Sequence, residues 1–245
     1  MAKRLTHRVY RHLDSRRAPV EQNDGIVKQT KFDGPSVYGI TVQAPRLGAE
    51  VQGLVQKSTG GVWLYSSPKY RAGAGIELVA SYAGIENPSA TAVRCLDGMV
   101  RGPIDTTALK EIQKQYGPDQ RDEMESAIIA YCANPENLHL DDSTEHPLVV
   151  GQRYLGHVVN RSVHLNDLAD GQEGAVLSMG HEPCVTQMVM NVTGLDYDPD
   201  VFGGPAKTGD HVEFVMEQSA PGELVKVTIQ YRDLKKDYTL PAPTQ

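Results

Sequence analysis

Three short stretches carry residues able to do chemistry. His139, Asp141, Asp142 and His146 bring two imidazoles and two carboxylates close together in the chain. Such a donor set suits Zn²⁺ or Fe²⁺, which accept imidazole nitrogen and carboxylate oxygen together. These four are the candidate metal ligands, and a metal-dependent hydrolase using them together with His181 is the enzymatic reading. The segment is polar and lies between Pro135 and Pro147, with no helix to fix the spacing, so a solvated loop competes with it. His181-Glu182-Pro183-Cys184 offers a thiol beside an imidazole. A cysteine nucleophile needs a base to form thiolate, but Pro183 holds this stretch extended, which favours a buried structural cysteine. Asp196, Asp198 and Asp200 match the first alternating carboxylates of a calcium loop, yet Val201 stands where the loop needs Gly and Lys207 where it needs Glu. Gly73–Gly75 and Gly203–Pro205 lack the Gly-Lys-Ser/Thr ending of a phosphate loop. No convergent catalytic set emerges, and no cofactor is implied beyond a divalent metal.

The elements that would position these residues read mainly as strands. Val37–Val42, Val51–Gln56, Val62–Tyr65, Ile76–Ser81 and Thr91–Leu96 are short, rich in β-branched residues and punctuated by Gly and Pro. Asp105-Thr106-Thr107 can cap a helix with Leu109 and Ile112 on one face, and a second helical pattern carries Met124, Ile128, Tyr131 and Cys132. Leu148 to Val163 resumes strand character. The 23 glycines and 15 prolines favour a turn-rich chain. Three widely spaced cysteines argue against a disulfide framework. The charged N-terminus and the lack of a long apolar run predict a cytoplasmic protein without a membrane span.

Charge is uneven. The net formal charge is −7, yet Lys3, Arg4, Arg8, Arg11, Arg16 and Arg17 crowd the start of the chain. Leu5, Val9 and Leu13 recur every fourth residue there, a short amphipathic pattern. These six cations form a candidate partner-binding arm. The acidic remainder disfavours nucleic acid except through that arm.

An internal similarity suggests a duplication. Gly73–Gly84 aligns with residues 209–220, and Leu47–Val55 with residues 168–176. In the second copy, Leu165-Asn-Asp-Leu-Ala-Asp-Gly-Gln-Glu-Gly-Ala-Val and the stretch from Gly209 to Val227 resemble the opening and closing hairpin of the SH3-like domain of ferrous-iron-transport accessory proteins of the FeoA type. The resemblance covers residues 163–240, with a diverged copy at 37–98, and it lacks that family's central Leu-x-x-Met-Gly-Leu segment. It implies a small barrel used for protein contacts and a link to ferrous iron, and no catalytic residue.

The expected fold is α+β, mainly β, with two SH3-like β-barrel units bridged by a helical hairpin. The expected divisions are an arm and linker (1–35), a first barrel unit (36–104), the hairpin (105–135), a connecting loop and strand (136–162) and a second barrel unit (163–245). The expected role is non-enzymatic: protein–protein interaction within a homo-oligomer or a larger assembly such as a virion. A metal-linked transport or regulatory accessory protein and the metal-dependent hydrolase are the alternatives.

Overall fold

A single open sheet organises the computed structural model, which describes residues 2–15, 33–117, 119–140 and 143–243. In chain order the main elements are β1 (Lys3–Arg11), α1 (Ala44–Lys57), β2 (Gly61–Ser66), α2 (Tyr70–Tyr82), β3 (Thr91–Ala92), α3 (Pro103–Lys114), α4 (Arg121–Ala133), α5 (Pro147–Arg161), β4 (Glu173–Gly180), α6 (Cys184–Thr193), α7 (Pro199–Phe202), β5 (His211–Gln218), β6 (Val225–Tyr231) and β7 (Leu234–Leu240). The strands lie in the order β3-β2-β4-β1-β5-β6-β7. The first four are mutually parallel, and β5, β6 and β7 extend the sheet antiparallel from β1.

Parallel strands need crossover helices, and those helices cover both sheet faces. On one face α1 and α2 lay Leu47, Val51, Ile76 and Val79 against Leu64, Leu177 and Met179. On the other, α5 and α6 lay Tyr154, Val158, Val185 and Val189 among Leu5, Val9, Val176 and Phe214. Between them β4 is buried from Gly174 to Gly180, which accounts for its unbroken run of small and apolar residues. Gly48 lets α1 approach α2, since a Cβ there would lie 2.3 Å from Cβ of Tyr82.

The two-barrel expectation is corrected by this sheet, which does not close. Several segments read as strands are helices. Val51–Gln56 lies in α1, Ile76–Ser81 in α2 and Leu148–Arg161 in α5, and Val37–Gln43 is helical and runs into α1. The physical reason is visible in what they bury. Helix α1 hides Ala44, Leu47, Gly48 and Val51, and α2 hides Ala72, Gly75, Ile76, Val79 and Ala80, both at helical spacing. Small residues supply two of the four buried positions in α1 and three of the five in α2, so the apolar period was faint beside the β-branched content. The hairpin read at the end of the chain is the β5–β6 pair, but it extends a large sheet and closes no barrel.

Residues 3–11, expected within a basic arm, form the strand at the junction of the parallel and antiparallel halves. Spacing of four fits a strand as well as a helix, because four is twice the strand period. No helix among the described residues is long and apolar enough to cross a membrane.

Candidate active site

The carboxyl ends of β1, β2 and β4 converge where the chain leaves the sheet in different directions, the position at which open α/β sheets bind ligands. Strand β1 ends in Arg11 and runs into His12. Strand β2 runs into Ser67, Lys69 and Arg71, the last in the first turn of α2. Strand β4 delivers His181. The His12 and His181 rings are 5.1 Å apart between centroids, inclined at 62°.

His12 Nδ1 lies 2.7 Å from the Leu13 carbonyl oxygen. A carbonyl can only accept, so Nδ1 carries the proton and neutral His12 keeps a lone pair on Nε2. Burial, with Arg71 and Arg11 adding to it, lowers the His12 pKa to about 4; the ring is neutral at pH 7. His181 is pushed lower still, to about 2, by burial and by its cationic neighbours. Its Nε2 lies 2.7 Å from Ser67 Oγ and 3.9 Å from Oδ1 of Asp97. Ser67 Oγ also accepts the Lys69 amide N–H at 3.0 Å, which fixes the hydroxyl.

Arg11 is held from behind. Its Nη1 and Nη2 reach the two oxygens of Glu125 at 2.8 and 3.1 Å, and Nη1 also donates to the Ala206 carbonyl. Glu125 is shared with Arg121 at 3.0 Å, and Arg121 reaches Asp14 at 3.2 Å. Arg71 pairs with Asp33 through Nη1. The Nε–H groups of Arg11 and Arg71 are buried with no acceptor among the described residues, and so is Nδ1 of His181. A buried donor without a partner costs about 1–3 kcal/mol. Two guanidinium edges and an imidazole nitrogen left open beside a neutral imidazole form a receptor for an oxyanion.

The residues singled out from sequence fall elsewhere, apart from His181 and Arg11. Asp141 and Asp142 lie outside the described residues. His146 accepts the Leu148 N–H through Nδ1 and caps α5, and the His139 amide donates to Asp105. Among the described residues no group of three or more His, Cys, Asp or Glu is placed to hold a metal. Cys184 is buried, and burial pushes its thiol up to about 12, so it is no thiolate. Asp198 caps the short α7. Of the six cations read as an arm, Arg8 pairs with Glu213 at 2.7 Å, Arg4 with Glu217 at 3.7 Å, and Lys3 reaches the Leu165 carbonyl; Arg16 and Arg17 lie outside the described residues. His12, Ser67, Lys69, Arg71 and Asp97 escaped the sequence reading. The available signal was an Arg-His pair directly after an apolar alternating run.

No family model matches the sequence, and no curated protein sequence matches it. Solved structures do. A protein described as mycobacterial hydrolase 1 is 14% identical over 96% of this chain and 100% of its own, with a TM-score of 0.54. A mycobacterial glucosyl-3-phosphoglycerate phosphatase is 18% identical over 88% of this chain and 91% of its own, TM-score 0.51. Bacillus stearothermophilus YhfR is 19% identical over 86% and 90%, TM-score 0.52. The fold is the one these structures share. This overturns the resemblance to FeoA-type domains. It equally overturns the reading as a non-enzymatic assembly or virion protein, and its iron-accessory alternative, since the structures sharing this fold include one named as a hydrolase and one named as a phosphatase.

Proposed function

We propose that the protein hydrolyses phosphate monoesters through a phosphohistidine at His12. The observation that carries the reading is the neutral His12, its Nε2 lone pair unengaged, beside two arginines whose buried Nε–H groups lack acceptors among the described residues. The ester's phosphoryl oxygens supply those acceptors, and charge-assisted bonds from planar guanidinium edges hold a phosphate in one orientation. Glu125 fixes the outer edge of Arg11 and so leaves its inner edge for substrate.

Chemistry then needs two steps. His12 Nε2 attacks phosphorus while the bond to the leaving oxygen breaks, and Asp97 in its acid form gives that oxygen a proton. Water next attacks the phosphohistidine and passes a proton back to the Asp97 carboxylate; the N–P bond breaks and its electron pair returns to Nε2. Positioning and charge stabilisation by Arg11, Arg71 and His181 supply most of the acceleration. Asp97 is chosen because its carboxylate sits beside His181 and is 36% exposed. Glu125 is locked between two arginines, and Glu182 is bonded to Thr186 in the interior. The fold supports the same reading, because the mycobacterial phosphatase that shares it has also been solved with inorganic phosphate.

A quenched reaction with a ³²P-labelled monoester tests the proposal. The expected result is an acid-labile, alkali-stable protein label that disappears in His12→Asn. Full turnover by His12→Asn would refute it.

A further inference from the structure

Helix α5 lies under the proposed site, and two consecutive residues of it grip the backbone that carries Asp97. The Tyr154 side chain is fully buried. Its hydroxyl donates to the Leu96 carbonyl at 2.6 Å and lies 3.3 Å from the Asp97 carbonyl, and it accepts the His181 amide N–H at 3.0 Å. A single oxygen therefore ties the segment after β3, which bears the proposed acid, to the end of β4, which bears His181. Gly180 makes room for it: a Cβ there would lie 2.5 Å from that hydroxyl. Arg153 adds a second grip. Its Nη1 reaches the Cys95 and Asp97 carbonyls at 2.8 and 2.9 Å, while Nε and Nη2 are anchored on Glu145, each at 2.9 Å. Cys184 Sγ completes the set, 3.7 Å from the Asp97 carbonyl.

We propose that Tyr154, assisted by Arg153, is a positioning residue that sets the Asp97 carboxyl against His181 and hence against the leaving oxygen. This rests on the phosphatase reading above. Only an atom that donates and accepts at once can serve both loops, and a phenol does so. Burial raises the Tyr154 pKa well above its ordinary value, so the hydroxyl stays a donor throughout the working range. Removing it leaves a buried carbonyl and a buried amide without this partner, and the two loops lose their common reference point.

The test is leaving-group dependence of kcat/KM in the full-length protein. This parameter reports formation of the phosphohistidine and is blind to its hydrolysis. An alkyl phosphate such as glycerol phosphate needs a proton on its leaving oxygen, whereas p-nitrophenyl phosphate does not. For Tyr154→Phe, kcat/KM on the alkyl ester should fall about 10- to 100-fold, within the range that acid catalysis supplies. On p-nitrophenyl phosphate it should fall less than about threefold, with His12 still labelled by phosphate. Adding Tyr154→Phe to Asp97→Asn should cause no further loss on the alkyl ester. Arg153→Met should repeat the pattern more weakly, and it stands in for Tyr154→Phe if that variant does not fold. Equal losses on both esters, or additive losses with Asp97→Asn, would overturn the positioning role. That outcome is separable from failure of the phosphatase reading, in which the unaltered protein cleaves neither ester or His12→Asn cleaves both.

Discussion

The molecule contains two close histidine pairs built from nearly the same parts, three of the four rings buried. At the strand ends, His12 and His181 are 5.1 Å apart with Ser67 on one of them. In the middle of the sheet, His7 of β1 and His157 of α5 are 5.4 Å apart, and Ser178 of β4 lies 2.8 and 3.0 Å from their Nε2 atoms. Burial depresses all four imidazoles. What separates the pairs is what surrounds them. The inner pair shares one hydroxyl that can donate to one ring and accept from the other. It is also walled by aromatic side chains, Tyr65 against His157 and Phe214 against His7. The Tyr65 hydroxyl is itself bonded to His164 and Arg161. The Nε2 atoms of both rings are spent on the Ser178 hydroxyl, while His7 Nδ1 has no partner among the described residues. The outer pair stands where strands give way to loops and faces arginine donors left open. Composition does not distinguish a structural histidine cluster from a reactive one. Position at the open carboxyl end of the strands does.

That contrast can be broken experimentally, beginning with its largest consequence. His12→Asn should cut phosphatase turnover by about 10⁴-fold or more, the scale of losing a nucleophile, while leaving the melting transition nearly unchanged. His157→Gln should do the reverse, so activity assays and thermal denaturation of both variants decide the comparison. Comparable activity losses in the two would erase it. Next, Arg71→Met should lower kcat/KM by about 10²- to 10³-fold, as expected for a donor aimed at developing charge. It should also remove the stabilisation by inorganic phosphate, which reaches about 2.7 kcal/mol at a hundred times Kd; calorimetry with and without phosphate measures both.

Acid titration probes what the pairs have in common. Burial holds the folded pKa of His12 and His211 at about 4, His157 at about 3 and His181 at about 2, with His7 also well below its ordinary value. Unfolded histidines bind protons from about pH 6.5 downward, so in this window the unfolded chain carries more protons than the folded one. Stability is therefore fully present above pH 6.5 and lost as pH falls toward 4, each histidine steepening the loss by up to about 1.4 kcal/mol per pH unit. Glu182, pushed up to about 7 by burial, opposes this between its ordinary range and 7, one group against five. Urea unfolding at stepped pH should show the decline, and a flat profile from pH 6.5 to 4.5 would contradict it. The smallest effects come from the two serines. Ser178→Ala should cost about 1–3 kcal/mol with activity intact. Ser67→Ala should cost less than about 1 kcal/mol and slow turnover several-fold, because its partner His181 faces substrate.

Parts of this were legible without coordinates. Val62–Tyr65 read as a strand and is one, in β2, and the alternation from His211 to Val215 and from Leu224 to Ile229 is the antiparallel end of the sheet. His181 stood out for its chemistry. Other elements misled for identifiable reasons. The buried stripe of α2 relies on Ala72, Gly75 and Ala80, which carry little apolar signal, so its Ile and Val made it look extended. Asp97-Gly98 looked like a simple turn, and its chemical interest comes from His181, contributed by another strand.

The sequence alone determined local facts: which runs alternate, where Gly and Pro interrupt them, and that the start of the chain is basic. Tertiary structure decided what those facts meant. Lys3–Arg11 became a central strand because β4 and β5 pair along both its edges, and that pairing turned Arg11 and His12 from a charged terminus into the floor of a site. His12 and His181 lie far apart in the chain and meet only because β1 and β4 are parallel neighbours with their carboxyl ends together. Local patterns report on neighbours in sequence, whereas a parallel sheet builds its site from strands separated by whole helices.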